Sequence, residues 1–436
     1  MNVGIVMLGC SKNQVDSEMI LGFFRQNGYN IVNDPEIADI IIVNTCGFIV
    51  SAKKEAIDTI LEMAEYKNKN CKALIVTGCL AKRYKQEIIR EFKEVDLVIG
   101  VDEYDNIGSI LSEFFNHKFL RQNLEFNDRI ISTNFPFAYI RISDGCDNRC
   151  SYCAIPLIRG KFKSRKMEDI ISEAENLAKQ GISEICVISQ DTTKYGQDIY
   201  GKLMLAELLK KLSTIQGIKW IRILYMYTFE VTDELIDEIA SNEKICAYFD
   251  IPIQHGSDKM LKAMNRYDTN NKIYEITSKI RQKVPDAILR TTVIAGFPGE
   301  TYEDVEILKK LIKDIKFDRL GGFTYSKEED TEAYSMKNQI NEKIKKHRLK
   351  EIMEIQKDIS KELNSKKVGN IYEVIVENVT DDDKYFSCRS YMDAPDVDGR
   401  IYVKIDENSV NKAIVGEYSK VKIIDYNEYD LFAEFI

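Results

Sequence analysis

Residues 144–156, DGCDNRCSYCAIP, place three of the chain's ten cysteines at the spacing CxxxCxxC. Cys146, Cys150 and Cys153 come directly after AYIRIS at 138–143, a β-branched and aromatic run that predicts a strand. Four thiolates would close an iron or zinc site, whereas three leave one metal position open for an outside ligand. No neighbouring His or Cys completes a zinc site, so a structural zinc knuckle and unrelated buried cysteines are the weaker interpretations.

The chain around this loop alternates strand-like apolar runs with helical patterns, from residue 138 to about 330. The runs are AYIRIS, EICVISQD, IKWIRILYMY, AYFDIPIQ, AILRTTVIAGFP and LGGFTYS. Six such units predict a parallel barrel or partial barrel, whose functional groups lie at the carboxyl ends of the strands. The cysteine loop follows the first unit, so we expect it at the open end of the barrel.

The first hundred residues predict a separate open α/β domain with a parallel sheet. Apolar runs at 3–9, 39–45, 73–78 and 96–100 are separated by helical patterns, and Gly28 is placed to end the first helix. The runs are apolar at successive positions, which indicates strands buried on both faces.

Cys10, Cys46 and Cys79 lie just after three of these strands, in MLGC, VNTC and VTGC. The carboxyl ends of parallel strands face one crevice, so we expect these thiols to converge there, with Gly9 and Gly78 keeping the backbone compact. Each cysteine taken alone would be interpreted as a small core residue, and their equivalent positions argue against that alternative. The other four show no such spacing and are interpreted as structural: Cys71, Cys186, Cys246 and Cys388.

Beyond residue 330 the pattern changes twice. NQINEKIKKHRLKEIMEIQKDISKELNSKK predicts one long charged helix, whose basic KKHRLK run we interpret as a solvated face. After Gly369 apolar residues alternate in NIYEVIVENV, RIYVKI and EYSKVKIIDY, which predicts a small all-β barrel. A stretch without periodicity at about 116–135 links the first two domains. We therefore predict an α/β protein with domains at 1–120, 136–365 and 366–436.

Length and composition limit the class of protein. A chain of 436 residues exceeds one domain, and a net charge of −9 argues against a general nucleic-acid binder. The LGC at 8–10 has the shape of a lipobox, but no Lys or Arg precedes Cys10 and the apolar stretch is too short for a signal sequence. No apolar run is long enough to cross a membrane, so we expect a cytoplasmic protein with reduced cysteines.

CxxxCxxC with Tyr152 directly before its last cysteine resembles the radical S-adenosylmethionine family. Two cysteine triads followed by a small β-barrel resemble, over essentially the whole chain, the methylthiotransferases of that family. The resemblance implies an N-terminal cluster domain, a radical barrel and a C-terminal TRAM domain. It also implies two 4Fe-4S clusters, one on each triad, with S-adenosylmethionine chelated by the open iron of the second.

Several stretches favour the RimO type of this family over the MiaB type. RimO enzymes act on ribosomal protein S-twelve, and MiaB enzymes act on tRNA adenosine. CAIPLIRGKFKSR, FTYSKEEDTEAY and RSYMDAPDVDGRIYV are similar to RimO sequences. In DIPIQHGSDKMLKAMNR, Gln254 and His255 favour RimO, whereas the HGSD step is closer to MiaB.

The resemblance also implies the chemistry. Reductive cleavage of S-adenosylmethionine at the Cys146, Cys150 and Cys153 cluster gives a 5'-deoxyadenosyl radical, which removes hydrogen from the β-carbon of an aspartate in S-twelve. Sulfur held at the first triad attacks that carbon, and a second S-adenosylmethionine supplies the methyl group. The electron comes from a donor that the sequence does not identify.

Further residues are expected to contact S-adenosylmethionine. Tyr152 lies within the cluster loop. Gln190 and Asp191 in VISQDTTKYG, and Gly296 and Gly299 in the turn GFPGET, end barrel strands and offer side chains and backbone amides.

Three more residues are weaker candidates, and no catalytic residue is assigned. Arg159 and Arg165 follow the cluster loop and are candidates for pairing with a cofactor carboxylate or with the substrate aspartate. His255 lies at a predicted strand end, where a structural hydrogen-bonded role is at least as well supported.

The C-terminal barrel bears on the choice of substrate. Residues 368–436 contain fifteen Asp or Glu and seven Lys or Arg, a net charge of −8. Binding tRNA needs basic side chains, because counterion release supplies much of the affinity, so this barrel favours a basic protein partner. Its aromatics could stack on bases, but they are interleaved with acids and fit a barrel core and rim. We therefore predict S-twelve as the substrate, with a MiaB-like tRNA enzyme as the alternative.

Overall fold

The computed structural model describes residues 1–133, 136–406 and 413–436. The chain begins with a five-stranded parallel sheet in the order β2-β1-β3-β4-β5. Its strands are β1 (Asn2–Met7), β2 (Asn30–Ile31), β3 (Ile40–Thr45), β4 (Ala73–Gly78) and β5 (Leu97–Gly100). Its helices are α1 (Ser11–Gln26), α2 (Val50–Ala64), α3 (Cys79–Arg83), α4 (Lys85–Glu91) and α5 (Ile107–Phe114). The four predicted strands are confirmed, and the two-residue β2 was too short to show a pattern.

The central strands of this sheet are apolar on both faces because helices cover both faces. Ile41 and Val43 of β3 pack in one core with α2. Their neighbours Ile40 and Ile42 pack in a second core with α1 and α5. Gly28 takes φ +84° just beyond α1, as predicted for a residue that ends the helix.

The second domain contains the six predicted strands in two parallel sheets, β10-β9-β6 and β11-β12-β13. Backbone hydrogen bonds between Ile221 and residues 244–246 join the sheets into a partial barrel. The strands of this domain are β6 (Phe137–Arg141), β7 (Ser143–Asp144), β8 (Lys163–Ser164), β9 (Glu184–Ile188), β10 (Trp220–Ile223), β11 (Tyr248–Asp250), β12 (Ile288–Ala295) and β13 (Arg319–Thr324).

Helices pack on the outside of the partial barrel, and their apolar residues form the largest core of the protein. They are α6 (Ile155–Arg159), α7 (Met167–Lys179), α8 (Gln197–Tyr200), α9 (Leu205–Ser213), α10 (Asp233–Ser241), α11 (Asp258–Ala263), α12 (Asn270–Lys283), α13 (Tyr302–Ile315) and α14 (Glu342–Ser365). The long charged segment is confirmed as one helix, α14, whose Ile352 and Ile359 enter this core.

The C-terminal residues form a closed barrel in the order β14-β15-β16-β18-β17. Its strands are β14 (Ile371–Val379), β15 (Tyr385–Ser390), β16 (Ile401–Lys404), β17 (Tyr418–Tyr426) and β18 (Leu431–Phe435). The alternating pattern identified β14, β16 and β17, and it missed β15 and β18. Within the described ranges, no helix has both the length and the apolar character that crossing a membrane requires.

Buried ion pairs fasten this barrel to the preceding domain. Glu184 of β9 is fully buried and pairs with Arg222 of β10 at 2.9 Å and with Arg389 of β15 at 2.6 Å. Arg319 of β13 pairs with Asp393 at 2.8 Å. Separating the two domains would break the Glu184–Arg389 and Arg319–Asp393 pairs, so the junction holds the barrel in one orientation.

Candidate functional site

Cys10, Cys46 and Cys79 converge at the carboxyl edge of the N-terminal sheet. Cys10 caps α1 after β1, Cys46 follows β3 and Cys79 opens α3 after β4. Each thiol lies within electrostatic range of the other two, and none is in a disulfide. Cys10 is exposed and Cys79 is buried, and burial raises the pKa of the Cys79 thiol to about 12. The predicted convergence therefore appears as a pocket of three thiols open on the Cys10 side.

Two glycines make this approach possible. Gly9 has φ +95°, and a Cβ placed there would lie 2.7 Å from Cys46 Cβ. Gly78 has φ +97°, and its Cβ would lie 2.3 Å from Asn44 Oδ1. Any larger residue at either position would push the strand ends apart.

The second triad lies in the loop after β7. The loop is pinned by Cys146 N–H donating to the Gly160 carbonyl and by Ser151 N–H donating to the Met264 carbonyl. Burial raises the pKa of the Cys146 thiol to about 12 and also raises that of Cys153. These three thiols also lie within electrostatic range of one another.

Both triads consist of thiols alone. Among the described residues, no three His, Cys, Asp or Glu side chains are grouped tightly enough to hold a single metal ion. Three soft sulfur donors without a fourth protein ligand suit an iron–sulfur cluster with one free position better than a closed zinc site. The thiols are neutral while protonated, so loading a cluster must release their protons.

Helix α6 connects the triads. It begins two residues after Cys153, and its Ala154 and Ile158 region packs against Cys79. Arg159 at its end points to the first triad, with Nη2 2.7 Å from Asp16 Oδ2 and 3.9 Å from Cys79 Sγ.

The rest of the Arg159 guanidinium is also engaged, and its side chain is only 2% exposed. Nη1 donates to Asp144 Oδ2 at 3.0 Å, and Nη2 also donates to Asn13 Oδ1 at 2.9 Å. Asp16 in turn accepts from Arg141 at 2.5 Å. Arg159 is thus already paired with the buried Asp16 and with the partly exposed Asp144.

Arg165 and His255 are structural in this fold. Arg165 donates to Glu173 Oε2 at 2.5 Å and stacks on the Phe126 ring, away from both triads. His255 is fully buried, its Nδ1 accepts from Ser257 N–H at 2.9 Å, and its Nε2 lies 3.3 Å from Glu300 Oε1. Arg165 Nη1 also donates to the Arg141 carbonyl at 2.7 Å, so its guanidinium is held within the protein.

A polar pocket lies beside the second triad. Asp191 is buried and accepts from Asn148 Nδ2 and from Thr193 Oγ1, both at 2.7 Å. Burial raises its pKa and also raises that of Glu230, to about 7. Arg266 pairs with Asp268 at 2.7 Å and lies within electrostatic range of Cys150 and Tyr152.

Several buried polar atoms around this pocket have no hydrogen-bond partner in the described part of the chain. They are Gln190 Oε1, Tyr227 OH, Thr228 Oγ1, Glu230 Oε2 and Asp268 Oδ1. Buried polar atoms are normally satisfied, so this group fits a bound polar molecule. Sequence reasoning placed Gln190, Asp191 and Tyr152 here but missed Glu230, Arg266 and Asp268, which show no motif and meet only through the fold.

Gly296 and Gly299 form the turn after β12, with φ +77° and +81°. Gly296 N–H donates to the Glu300 carboxylate at 3.0 Å, and Gly299 N–H donates to the Asn338 carbonyl at 3.0 Å. Both amides are thus engaged within the protein. A contact with S-adenosylmethionine from these glycines would have to use other backbone atoms.

Two cavities open beside the triads. One of about 760 Å³ is lined by residues 48–51 of the first domain and by Tyr152, Gln254, Thr292 and Ile294 of the second. The other, of about 520 Å³, is lined by Cys10, Tyr225, Asp250 and residues 395–397 of the C-terminal barrel. All three domains therefore contribute to the space around the first triad.

Family models match three parts of the chain. Residues 2–100 match "Uncharacterized protein family UPF0004", residues 140–312 match the radical SAM superfamily and residues 368–436 match the TRAM domain. Together they cover each of the three folded parts in chain order.

Curated relatives match at full length. Proteins named "Ribosomal protein uS12 methylthiotransferase RimO" from Acetivibrio thermocellus and Alkaliphilus oremlandii are each 50% identical, covering 100% of this chain and 98% and 99% of their own lengths. The protein of that name from Clostridioides difficile is 49% identical, covering 100% of this chain and 98% of its own.

Solved structures share the fold. The radical S-adenosylmethionine methyltransferase TsrM from Kitasatospora setae, with a tryptophan substrate and a SAM analog bound, superposes with a TM-score of 0.55 at 13% identity. The match covers 74% of this chain and 72% of that one. OxsB, a cobalamin-dependent radical enzyme, superposes with a TM-score of 0.51 at 12% identity, covering 71% of this chain and 51% of its own.

Proposed function

Because this chain belongs to the RimO family of ribosomal protein uS12 methylthiotransferases, we propose that it transfers a methylthio group to the β-carbon of an aspartate in uS12. The observation that carries the proposal is the pair of three-cysteine sites on either side of α6. One site serves to generate a radical and the other to deliver sulfur, and a single short helix sets the distance between them.

Each triad holds one 4Fe-4S cluster in this proposal, Cys10, Cys46 and Cys79 the first and Cys146, Cys150 and Cys153 the second. The donor chemistry supports two clusters, because each set consists of three thiols and the described residues supply no fourth ligand beside them. The domain division at 1–120, 136–365 and 366–436 follows, with the first triad in the cluster domain and the second in the radical core.

S-adenosylmethionine fits the polar pocket beside the second triad. Bound to the cluster, it would supply the radical that breaks the unactivated carbon–hydrogen bond. A second molecule of S-adenosylmethionine would supply the methyl group. Asp191 and Glu230 are placed to accept hydrogen bonds from an amino group or from ribose hydroxyls. Tyr152 lies within electrostatic range of Arg266 and of Cys150.

The unsatisfied atoms of this pocket support that assignment. Tyr227 OH and Thr228 Oγ1 are buried without partners in the described residues, and both are side chains that bind sugar hydroxyls and carboxylates. The protein's part in the chemistry is to hold these groups in place and to exclude water from the radical.

The C-terminal barrel is proposed to recognise uS12 through its charge. Some of its acids are engaged at the domain junction, among them Asp393 and Asp398, which pair with Arg319 and Arg290. The described exposed surface nevertheless carries eight acids against four lysines: Asp381, Asp382, Asp383, Asp396, Asp406, Glu417, Asp425 and Glu434, and Lys384, Lys404, Lys420 and Lys422. A ribosomal protein binds RNA with basic side chains, so this surface suits it and disfavours tRNA.

Because the substrate is a ribosomal protein, we propose that the reaction takes place in the cytoplasm. An electron donor must also bind the enzyme there.

The test uses anaerobically reconstituted protein with uS12, S-adenosylmethionine, sulfide and a chemical reductant. Mass spectrometry should find one CH3S group in place of one hydrogen on an aspartate of uS12. A Cys46→Ala variant should still form 5'-deoxyadenosine, since the second triad is intact, and should attach no sulfur. Modification of tRNA with uS12 left unchanged would replace this proposal by the MiaB-like one.

Iron content checks the two-cluster assignment separately. The full protein should hold about eight irons, and replacing either triad by alanine should leave about four. A Cys10, Cys46, Cys79 triple variant that keeps about eight irons would remove the first cluster from the proposal.

A further inference from the structure

Lys12 is a buried ammonium without a carboxylate partner in the described part of the chain. It lies in the first turn of α1, two residues after Cys10, and is 6% exposed. Its Nζ lies 3.1 Å from the centroid of the Tyr225 ring. Within residues 1–133, 136–406 and 413–436, that ring is its one close polar or aromatic contact.

Other buried cations in the described ranges are not left this way. Seven pair with carboxylates: Arg129, Arg141, Arg222, Arg266, Lys309, Lys345 and Arg389. One more, Lys367, donates to Asn364 Oδ1 at 3.1 Å. A buried ammonium without a counter-charge is costly, and a ring face compensates only part of that cost. The buried ammonium of Lys12 therefore favours binding an anion from outside the chain.

Tyr225, beneath the ammonium, is held in a strained backbone conformation. Its φ is +62°, in the left-handed region that non-glycine residues avoid. Its N–H donates to Asp250 Oδ2 at 2.9 Å, and its carbonyl accepts from Thr192 N–H at 3.0 Å. Strain that the surroundings maintain in this way is concentrated at binding sites. Tyr225 also lines the 520 Å³ cavity together with Cys10.

Lys12 is connected to the surroundings of both triads. On one side it lies two residues after Cys10 on α1. On the other, its partner Tyr225 is bonded to Thr192, the neighbour of Asp191, which is within electrostatic range of Cys146. The carbon that loses hydrogen and gains sulfur has to reach both sites, and Lys12 places a positive charge beside Tyr225, which lines the cavity at Cys10.

Two arginines near this path are already engaged. Arg159 and Arg290 form ion pairs of 2.7 and 2.6 Å with the buried acids Asp16 and Asp250. A substrate carboxylate would have to displace one of those acids to reach either arginine. Lys12 could bind a carboxylate without displacing an acid of the protein.

We propose that Lys12 binds the carboxylate of the substrate aspartate and thereby selects aspartate over asparagine at the modified position. This assignment rests on the proposed function and adds to it the group that recognises the reacting side chain. An ammonium–carboxylate hydrogen bond fixes the carboxyl carbon, and the β-carbon is one bond away. No proton is transferred in forming this contact.

The test measures binding of purified uS12 to the reconstituted holoenzyme. Two forms of uS12 are compared, the natural protein and a variant with asparagine at the aspartate that the enzyme modifies. Wild-type enzyme should bind the aspartate form about ten- to a hundredfold more tightly, as expected for a hydrogen bond between charged groups. Lys12→Met and Lys12→Gln should bind the two forms equally, with affinity for the asparagine form unchanged.

Lys54→Met is the matched control, because Lys54 is an exposed lysine of the same domain. It should keep the full preference for aspartate, and Lys12→Arg should keep most of it by retaining the charge. Iron content of about eight establishes that each variant is folded and loaded. If uS12 is methylthiolated but either neutral Lys12 variant still prefers aspartate, the assignment of Lys12 is wrong. If wild-type enzyme does not modify uS12, the proposed function itself fails and Lys12 loses its role with it.

Discussion

Arg159 shows how a single side chain can join two sites from different domains. Its guanidinium is shared between Asp16 and Asn13 of α1 and Asp144 beside the second triad, and it reaches Cys79 Sγ at 3.9 Å. Burial alone would raise the pKa of Asp144, but Arg141 and Arg159 outweigh it and hold that pKa below its ordinary value. The arginine therefore pairs with one buried and one partly exposed carboxylate and contacts Cys79 of the first triad.

Replacing Arg159 by methionine should destabilise the interface of the first two domains. Asp16 and Asp144 would each lose one arginine partner and keep Arg141, so we expect a loss of about 1–3 kcal/mol. Urea unfolding of the apoprotein, followed by circular dichroism, measures the loss. Lys310→Met is the control, since it removes an ion pair to Asp314 whose partners are 74% and 41% exposed and should change stability by less than about 0.5 kcal/mol. Equal losses for the two variants would contradict this account of Arg159.

A second residue-scale prediction concerns Gly9. Alanine there would need φ +95° and would place its Cβ 2.7 Å from Cys46 Cβ, so the first triad should not close around a cluster. We expect Gly9→Ala to hold about four irons instead of eight and to keep forming 5'-deoxyadenosine at the second triad. Iron assay and chromatography measure the two effects.

Gly28→Ala is the matched control for Gly9→Ala. Gly28 has a similar φ of +84°, but no atom lies within 4 Å of the position its Cβ would take. It therefore tests backbone strain without crowding and should keep about eight irons. A loss of iron in both variants would show that strain, and not the approach to Cys46, is responsible.

At the scale of elements, the positions of both triads follow from the order of strands and loops along the chain. Parallel strands end at one edge, so cysteines directly after β1, β3 and β4 had to meet, and the periodic pattern sufficed to predict this. The first turn of α1 was harder, because Lys12, Asn13 and Asp16 form a polar run that looks solvated yet is buried under the second domain. Only tertiary packing makes that run interior. The signal available in sequence was its position directly after Cys10.

Short or irregular elements were missed for a related reason. β15 pairs with β14 through a bulge between Val376 and Asn378, and its residues are buried at nearly every position and so show no alternation. β18 is parallel to β16, a pairing between segments far apart in sequence that local patterns do not reveal. These two strands therefore depend on contacts between residues far apart in sequence, which a local pattern does not show.

Lys367, just beyond α14, gives a prediction about pH. Burial, together with Arg319, lowers the pKa of Lys367 to about 8. The unfolded chain has its ordinary value near 10.4, so between pH 8 and 10 it holds a proton that the folded protein lacks, and stability rises with pH in that window. Below pH 8 both states are protonated and the full cost of the buried charge is present. Lys367→Met should therefore be more stable than wild type at pH 7, by about 2–3 kcal/mol, and the difference should disappear by pH 10.

Unfolding by urea at several pH values measures this difference. Lys366→Met is the control, because Lys366 is 61% exposed and its pair with Glu362 is superficial. Its effect on stability should be small at every pH. A Lys367→Met difference that stays constant from pH 7 to 10 would mean that Lys367 is not the titrating group.

At the scale of the whole molecule, the three domains form one working unit. The C-terminal barrel is fixed to the partial barrel by Glu184, Arg222 and Arg389, and its residues 395–397 reach the cavity beside Cys10. Its outer surface is acidic, and the loop at 380–384 between β14 and β15 presents three exposed aspartates. A partner held by this surface is therefore positioned at the entrance to the first triad.

The last prediction tests whether that surface steers uS12 by charge. Replacing Asp381, Asp382 and Asp383 by lysine removes the densest acidic loop while leaving both triads and the domain junction untouched. Association with uS12 should slow by at least about tenfold at 0.01 M salt, where the Debye length is about 30 Å, because steering by opposite charge raises the on-rate by this order. At 1 M salt the Debye length is about 3 Å, and the variant and wild type should associate at similar rates. Stopped-flow association measures both conditions.

A triple variant with the same change in net charge separates local steering from overall charge. Glu87→Lys, Glu91→Lys and Glu94→Lys alter exposed acids on α4 and the turn after it, in the first domain. If the C-terminal barrel receives uS12, this control should associate at nearly the wild-type rate at low salt, whereas the loop variant is slow. Equal slowing of both would show that only the net charge of −9 matters, and the C-terminal barrel would lose its role as the docking surface. Uncoupled cleavage of S-adenosylmethionine should be unchanged in both variants, because neither set of acids lies in the pocket beside the second triad.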